Sequence, residues 1–225
     1  EGNIDHMSLL TGSGSVYMSL KCALVLAFLL GESRPRWQMA LRRLEDAIRY
    51  RRYLFNKTKS RYSMDWFYPV LCGALTDGEA KKRIDKYWNK FVVEGLGVRC
   101  VCDSPWVTMA ESSELILALA AMGETEPAQT LLMWILNKRH DDGSYYCGIT
   151  FPDMVVWPEE KLTWTNAAVM MAADALYHIT PASQLFNHSF WQEGQKSHMY
   201  RFLKKRHPVF SIKEAFCSHM QDMRA

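Results

Sequence analysis

The chain has 225 residues, of which 48% are apolar and 23% charged, and this balance is ordinary for a folded protein with a hydrophobic core. Its net charge of +3 is too small to indicate nucleic-acid binding. The longest apolar run, Cys22 to Leu30, has nine residues, whereas a stable membrane span needs about 20. Several of the six cysteines lie in apolar helical runs, which indicates a reducing, cytoplasmic location.

Two kinds of predicted helix alternate along the chain. The first kind is apolar nearly all round at its end and should be buried on all sides: CALVLAFLLGE (22–32), CGALTDGE (72–79), LALAAMGE (117–124) and AAVMMAADALYHIT (167–180). The second kind has one apolar stripe and should lie outside: WQMALRRLEDAIRYR (37–51), EAKKRIDKYWNKFVVEG (79–95) and AQTLLMWILNKRH (128–140). Repeated hairpins of an inner and an outer helix predict an all-α solenoid or a closed α/α toroid.

The lengths of the connections favour the toroid. Links from inner to outer helices are short, whereas those from outer to inner helices are long: 55–64, 95–104 and 140–162. Long loops gathered at one rim suggest a mouth above a central cavity. The last of these loops could hold a short β-hairpin, with strands at 145–151 and 154–157.

We expect the toroid repeats to occupy residues 1–180. Residues 181–225 are expected to form a basic, partly helical tail, with a helix near 197–206, because 185–225 carries seven Lys/Arg and three Asp/Glu. Four inner and three clear outer helices are fewer than the six hairpins of a closed ring. A partner or further sequence is therefore expected to complete the ring.

The segment DDGSYYCGITF…LTWTNAAVMMAADAL (141–176) resembles a repeat of the terpenoid cyclase and protein prenyltransferase toroids. In that repeat, an outer helix leads through a DG-S-aromatic turn to an aromatic-rich inner helix. The resemblance covers residues 9–180 and implies a cavity for an apolar or isoprenoid-linked substrate, as in prenyltransferase-like or squalene-cyclase-like bacterial proteins. Six-hairpin glycosidases share this architecture, so the fold alone selects no activity.

The motifs for either family's chemistry are missing. No DxDD acid motif occurs, and Lys138-Arg139-His140 stand where the cyclase repeat has its glutamine. Protein prenyltransferases hold zinc with Asp, Cys and His, but Cys100, Cys102 and Asp103 have no matching histidine. We therefore expect no metal and no cofactor.

Three carboxylates stand near the starts of inner helices and are the candidate acids or bases: Asp65, Glu111 and Glu114. The structural alternative for Asp65 is a favourable contact with the helix dipole. Glu111 and Glu114 lie on neighbouring parts of one helical face. If both point into the cavity, one should have a raised pKa; if they point outward, they are surface charges.

The other candidates are substrate-binding residues at the mouth. Arg61 and Arg99 could clamp an anion, or could instead pair with Asp103 or Glu159. Asp103 could alternatively cap a helix that has Pro105 in its first turn. Aromatic side chains at the inner-helix starts and in the last long loop could form a wall for sugars or isoprenoids, or could be core: Trp66, Tyr68, Trp106, Trp157 and Trp164.

These observations favour a prenyltransferase- or cyclase-like transferase. The alternatives are a carbohydrate-active enzyme of the six-hairpin type, in which paired carboxylates would face each other, and a non-catalytic binding scaffold.

Overall fold

The computed structural model describes residues 7–192 of the chain. Within this range, the α-helices are α1 (Leu10–Leu29), α2 (Pro35–Tyr50), α3 (Ser63–Leu71), α4 (Asp77–Phe91), α5 (Met109–Met122), α6 (Thr125–Ile135), α7 (Thr163–Tyr177) and α8 (His188–Gln192). Short 3-10 helices cover Arg52–Leu54, Lys57–Arg61 and Pro181–Gln184. The prediction of a mainly helical protein is confirmed.

The helices form two layers. In the first layer, α1 packs on α3, α3 on α5, and α5 on α7. In the second layer, α2, α4 and α6 each pack against the first-layer helix that precedes them in the chain. The predicted alternation of inner and outer helices is therefore present.

The number of buried faces explains why α5 lies in the first layer and α4 in the second. In α5, eleven of the fourteen residues are buried, and the main hydrophobic core surrounds its apolar side chains. In α4, only Ala80, Ile84 and Phe91 are buried, and they recur at helical spacing on one face. A helix with one apolar stripe has one face to bury, so it covers the layer beneath it.

The expectation of an all-α protein is wrong because the long connectors contain a small antiparallel sheet. Its four strands are β1 (Val92–Val93), β2 (Gly97–Arg99), β3 (Trp106–Thr108) and β4 (Gly148–Thr150), in the order β1-β2-β3-β4. The predicted hairpin at 145–157 is present as an antiparallel bridge between Ile149 and Val156 with two backbone hydrogen bonds beside it, and β4 also pairs with β3.

Backbone hydrogen bonds join the long connectors to one another. The Ser63 amide donates to the Cys100 carbonyl at 3.0 Å, and the Cys102 amide donates to the Arg61 carbonyl at 2.9 Å. The sheet then ties the connector before α5 to the connector before α7. The three long connectors therefore meet at one end of the helices, as expected from their lengths.

The start of α5 differs from the prediction. Residues 106–108 extend as β3, so the helix begins at Met109 with Thr108 as its N-cap. Asp103 therefore does not cap it. The end was predicted well: Gly123 has φ of 80°, a left-handed conformation that glycine adopts without the steric cost of a Cβ.

Helix α1 begins earlier than its apolar run suggested. The small residues Gly12 to Ser15 lie within its first turns, and Gly14 allows close approach to α3. A Cβ on Gly14 would lie 3.4 Å from the Cys72 Sγ. By length and composition, α1 could cross a membrane; 33% of its most apolar 18-residue stretch is buried. Its one charged residue, Lys21, is buried with its Nζ 4.6 Å from the centre of the Trp191 ring.

Candidate functional site

A cavity of about 770 Å³ lies between the four first-layer helices. Each of α1, α3, α5 and α7 contributes to its wall, and the segment after the last 3-10 helix covers part of it. The lining residues are Ser15, Met18, Ser19, Cys22, Ala23, Leu26, Tyr68, Leu71, Cys72, Glu114, Leu117, Trp164, Ala167, Ala168, Met171, Leu185 and Phe186. The helices around it are the ones that the sequence pattern predicted to be inner helices.

Glu114 is the one carboxylate among the described residues that line this cavity. It lies in the second turn of α5, and the Tyr68 hydroxyl donates a hydrogen bond to its Oε1 at 2.7 Å. Burial raises the pKa of Glu114 from 4.5 to about 7, the nearby Glu111 adds to the rise, and the Tyr68 hydrogen bond opposes it. A carboxyl group with this pKa can hold a proton near neutral pH and donate it.

Tyr68 is affected by the same environment. Burial raises its pKa above the ordinary value, and the neighbouring Glu114 raises it further. The phenol therefore stays protonated and remains a hydrogen-bond donor to the carboxyl group. The sequence named Glu114 and Tyr68 for different roles, and the structure brings them together.

Glu111 points towards the connector sheet and is not part of the cavity lining. It is buried, and the Thr108 hydroxyl donates a hydrogen bond to it. The Cys100 thiol lies beside it: burial raises the pKa of this thiol to about 12, and Glu111 contributes to the rise. Glu111 therefore joins the start of α5 to the sheet.

Asp65 is also buried, but it faces a different region. Its Oδ2 is 3.2 Å from an Arg52 guanidinium nitrogen, and its carbonyl accepts a hydrogen bond from Arg83 at 2.7 Å. These contacts hold the start of α3 against α4 and the preceding connector. Asp65 lies outside the cavity lining.

The arginine candidates are engaged at the connector end. Arg61 donates to both carboxylate oxygens of Asp103, at 2.7 and 2.6 Å, and both side chains are exposed. This pairing lowers the pKa of Asp103. The Arg99 guanidinium lies 4.9 Å from the Phe151 ring centre and donates to the Cys102 carbonyl at 3.1 Å. Of the two pairings considered for Arg61, the structure has the one with Asp103.

The aromatic candidates divide into three groups. Trp66 is core, stacked on Phe91 with ring centres 5.2 Å apart. Trp106 and Trp157 contact each other edge to face at the connector end, where the Trp106 indole donates to the Trp157 carbonyl at 2.8 Å. Trp164, at the start of α7, lines the cavity and is 54% exposed. Glu159 is exposed in the connector before α7.

Sequence reasoning expected α1 to be an inner helix but did not select its residues that line the cavity. Ser15 and Ser19 lie four residues apart, so they share one face of the helix, and Cys22 and Leu26 continue that face. This spacing of small polar residues followed by apolar ones was the available signal. Within residues 7–192, no three His, Cys, Asp or Glu side chains cluster closely enough to hold a metal ion.

Comparison with known proteins shows a sugar-acting relative. No family model matches the chain. The chain is 49% identical over 179 residues to the MMP endo-(1,4)-3-O-methyl-alpha-D-mannosidase of Mycolicibacterium hassiacum. The aligned part is 80% of this chain and 50% of the relative, so the chain spans about half the length of the curated relative it matches.

This similarity corrects the interpretation drawn from the repeat motifs. The prenyltransferase- or cyclase-like interpretation is wrong, because a relative with 49% identity is a glycoside hydrolase. The expected isoprenoid-linked substrate is wrong for the same reason. The DG-S turn and the aromatic inner-helix starts reflect helical-hairpin architecture, which unrelated activities share. The carbohydrate-active alternative agrees better with the relative.

Proposed function

We propose that the protein is a glycoside hydrolase, or part of one, that acts on 4-linked chains of 3-O-methylmannose. The observation that carries this proposal is the 49% identity to the endo-mannosidase over most of the chain. The cavity supports it independently, because its only described carboxylate has a pKa raised to about 7. Glycosidases need such a protonated carboxylic acid beside the bond that breaks.

In the proposed reaction, Glu114 is the general acid. Its proton passes to the oxygen that joins two sugars, and the bond from that oxygen to the anomeric carbon breaks. A water molecule adds to the anomeric carbon and loses its proton to a second carboxylate. Tyr68, through its hydrogen bond at 2.7 Å, positions the acid.

We propose that the second carboxylate comes from outside residues 7–192. The described cavity lining holds only Glu114, whereas glycosidases of this kind use two carboxyl groups. The relative has about as much sequence outside the aligned region as within it. The same additional polypeptide would complete an α/α toroid built on the described hairpins, whereas the helix expected near 197–206 in the basic tail lies outside the described residues.

Exposed apolar residues on the two edge helices support this completion. Val16 on α1 is 53% exposed and Met170 on α7 is 71% exposed. Additional hairpins would cover both faces. On this basis α1 is a ring helix and not a membrane span, although its length and composition would permit a span. The five described cysteines are all free thiols, which supports the proposed cytoplasmic location.

At the mouth, exposed aromatic side chains are proposed to hold the polysaccharide. Trp157 and Trp164 are both more than half exposed, and indole faces stack on sugar rings. Arg61, Arg99 and Asp103 surround the same connectors, where they would contact sugar hydroxyls outside the cavity.

The test uses a 4-linked 3-O-methylmannose oligosaccharide, with cleavage followed by mass spectrometry and binding by calorimetry. We expect the wild type to cleave it and Glu114→Gln to lose at least about a hundredfold of the rate while still binding, since general acids contribute about 10²–10⁴-fold. Glu94→Gln, on an exposed turn, is the matched control and should cleave normally. A wild type that neither binds nor cleaves would contradict the proposal. Cleavage by Glu114→Gln at the wild-type rate would remove Glu114 as the acid, and binding without cleavage by the wild type would mean that the second carboxylate lies outside the 225 residues.

A further inference from the structure

A second, smaller cavity lies against a different face of α1 from the face that lines the cavity of Glu114. Its volume is about 190 Å³, and its described wall is formed by residues of α1, α2, α8 and the connection between α3 and α4. None of these residues lines the larger cavity. The proposed glycoside hydrolysis makes no use of this second cavity, so its polar groups have a separate role.

Lys21 on α1 is the group that distinguishes this cavity. The residue is only 6% exposed, and it forms part of the cavity wall. No described residue forms an ion pair or a hydrogen bond with its Nζ. Burial lowers the pKa of Lys21 below its ordinary value, because desolvation disfavours the charged form. A buried charge without a partner is costly, so an anion inside the cavity would be stabilised by this ammonium.

Aromatic rings and a glycine hold the ammonium in position. Its Nζ lies 5.4 Å from the centre of the Tyr17 ring and 4.6 Å from the centre of the Trp191 ring, and aromatic faces attract cations. Gly73 has φ of 70°, and a Cβ there would lie only 3.2 Å from the Lys21 Nζ. These contacts fix where the charge lies, but they supply no full negative charge.

The other charged side chains of α2 at this cavity have partners of their own. The Arg49 guanidinium pairs with Glu79 and lies 3.7 Å from the Glu45 carboxylate. Glu45 also lies beside the Tyr17 hydroxyl. Glu45 is near enough to act on the charge of Lys21 but forms no ion pair with it. Lys21 is therefore the one Lys or Arg of the described lining that has no carboxylate partner.

The cavity also offers a hydrogen-bond donor and enough room for a small ligand. His188 is occupied, because its Nε2 donates to the Val70 carbonyl at 2.8 Å. Gln192 donates from its Nε2 to the Asp77 Oδ2 at 3.2 Å, but an amide group has two N–H bonds, so one is left for a ligand. The volume of about 190 Å³ corresponds to about six water molecules, at about 30 Å³ each.

We propose that this cavity binds a small oxyanion, either phosphate or a simple carboxylate, with the Lys21 ammonium as its counter-charge and the Gln192 amide as a second donor. Oxygens of such anions accept charge-assisted hydrogen bonds from ammonium groups, which are roughly twice as strong as neutral ones. The bound anion would join α1 to α8 through these two side chains. The site does not depend on the proposed function, because it shares no described lining residue with the cavity of Glu114.

The test titrates the 225-residue chain at pH 7 with sodium phosphate or sodium acetate, while sodium chloride keeps the ionic strength constant. Calorimetry measures binding, and NMR follows the ring of His188, which lines the cavity. We expect saturable binding of at least one of the two oxyanions, with a saturable shift of the His188 signal. Comparison of the two titrations shows whether the site takes phosphate or a carboxylate.

A pair of lysine variants assigns the binding to this cavity. Lys21→Met keeps the length of the side chain and removes its charge, so it should weaken the affinity by about tenfold or more, the loss expected for a hydrogen bond to a charged group. Lys82→Met on α4, where the side chain is exposed, is the matched control and should bind like the wild type. The anion should raise the melting temperature of the wild type and of Lys82→Met, but not of Lys21→Met.

The proposal is overturned if neither oxyanion moves the His188 signal of the wild type, or if Lys21→Met and Lys82→Met bind with equal affinity. If Lys21→Met does not fold, Gln192→Leu takes its place and should weaken binding severalfold, and an unchanged affinity would count against the site. No sugar is present in these measurements, so this proposal and the proposed function can fail independently.

Discussion

Helices α5 and α1 are similar in sequence character but differ in their surroundings. Both have apolar residues on nearly every side, yet eleven of fourteen residues are buried in α5 and seven of twenty in α1. Helix α5 contacts α3, α6 and α7 as well as the sheet, whereas α1 contacts α2 and α3. The comparison shows that an apolar helix is buried only where neighbouring helices lie on both sides of it, and that among residues 7–192 the α1 edge of this layer is open.

The largest expected difference between the two helices is in stability. Leu115 on α5 is fully buried, whereas Leu26 on α1 is 58% exposed. Leu115→Ala should lower the free energy of unfolding by about 3–5 kcal/mol, because it removes packed atoms and leaves a cavity. Leu26→Ala should cost less than about 1 kcal/mol. Urea unfolding of both variants measures this, and similar losses would mean that α1 is as enclosed as α5.

A second prediction concerns how the free energy of unfolding depends on pH through Glu114 on α5. The pKa of Glu114 is about 7 in the folded protein and 4.5 as a reference, so the folded state binds the proton more tightly. The resulting stabilisation is complete below pH 4.5 and is lost as pH rises to 7. The loss is on the order of 3 kcal/mol, at about 1.4 kcal/mol for each pKa unit.

Glu114→Gln should remove this pH dependence, because an amide stays neutral and can still accept the Tyr68 hydrogen bond. Urea unfolding at pH 4.5 and pH 8 provides the measurement. The variant should be more stable than the wild type at pH 8 and equal to it at pH 4.5. If Glu114→Gln changed the free energy of unfolding equally at pH 4.5 and pH 8, burial would not be keeping the carboxyl group protonated.

The smallest expected effect concerns the open edge. Val16→Thr combined with Met170→Gln should leave the free energy of unfolding within about 0.5 kcal/mol, since both side chains are largely exposed. The same double variant should bind an apolar fluorescent dye more weakly. Met133→Gln on α6, also exposed, is the control and should have little effect on dye binding. If Met133→Gln weakens dye binding and the double variant does not, the open apolar edge is not formed by α1 and α7.

The helical layers could be predicted from the sequence because their signal is repeated and local. Apolar and amphipathic segments alternate over more than 100 residues, and each periodicity spans several turns. Of the sheet, only β4 was predicted, because it lies within the strand expected at 145–151. The strands of the sheet have two or three residues each, and pairs such as Trp106 with Thr150 join segments far apart in the chain.

The candidate site could be predicted only in part. The pattern placed Glu114 and Tyr68 near the starts of inner helices, but the hydrogen bond between them depends on how α3 rotates against α5. Asp65 is also a carboxylate near the start of an inner helix, yet the structure gives it Arg52 as a partner. Side-chain direction at a helix start depends on tertiary contacts that periodicity does not encode. The class of substrate depends on still finer differences, so shared architecture led to the wrong family.

The connector sheet has a consequence for how such a protein could change. Its strands are joined through main-chain atoms, and only two positions demand a particular residue: a Cβ on Gly97 would lie 2.5 Å from the Ser112 Oγ, and one on Gly148 would lie 2.3 Å from the Trp106 Nε1. Outward-facing positions in these strands could therefore be exchanged during evolution or by protein engineers while the helices beneath keep their arrangement. Libraries confined to the connectors would be an economical way to examine whether these positions affect the proposed binding of a glycan.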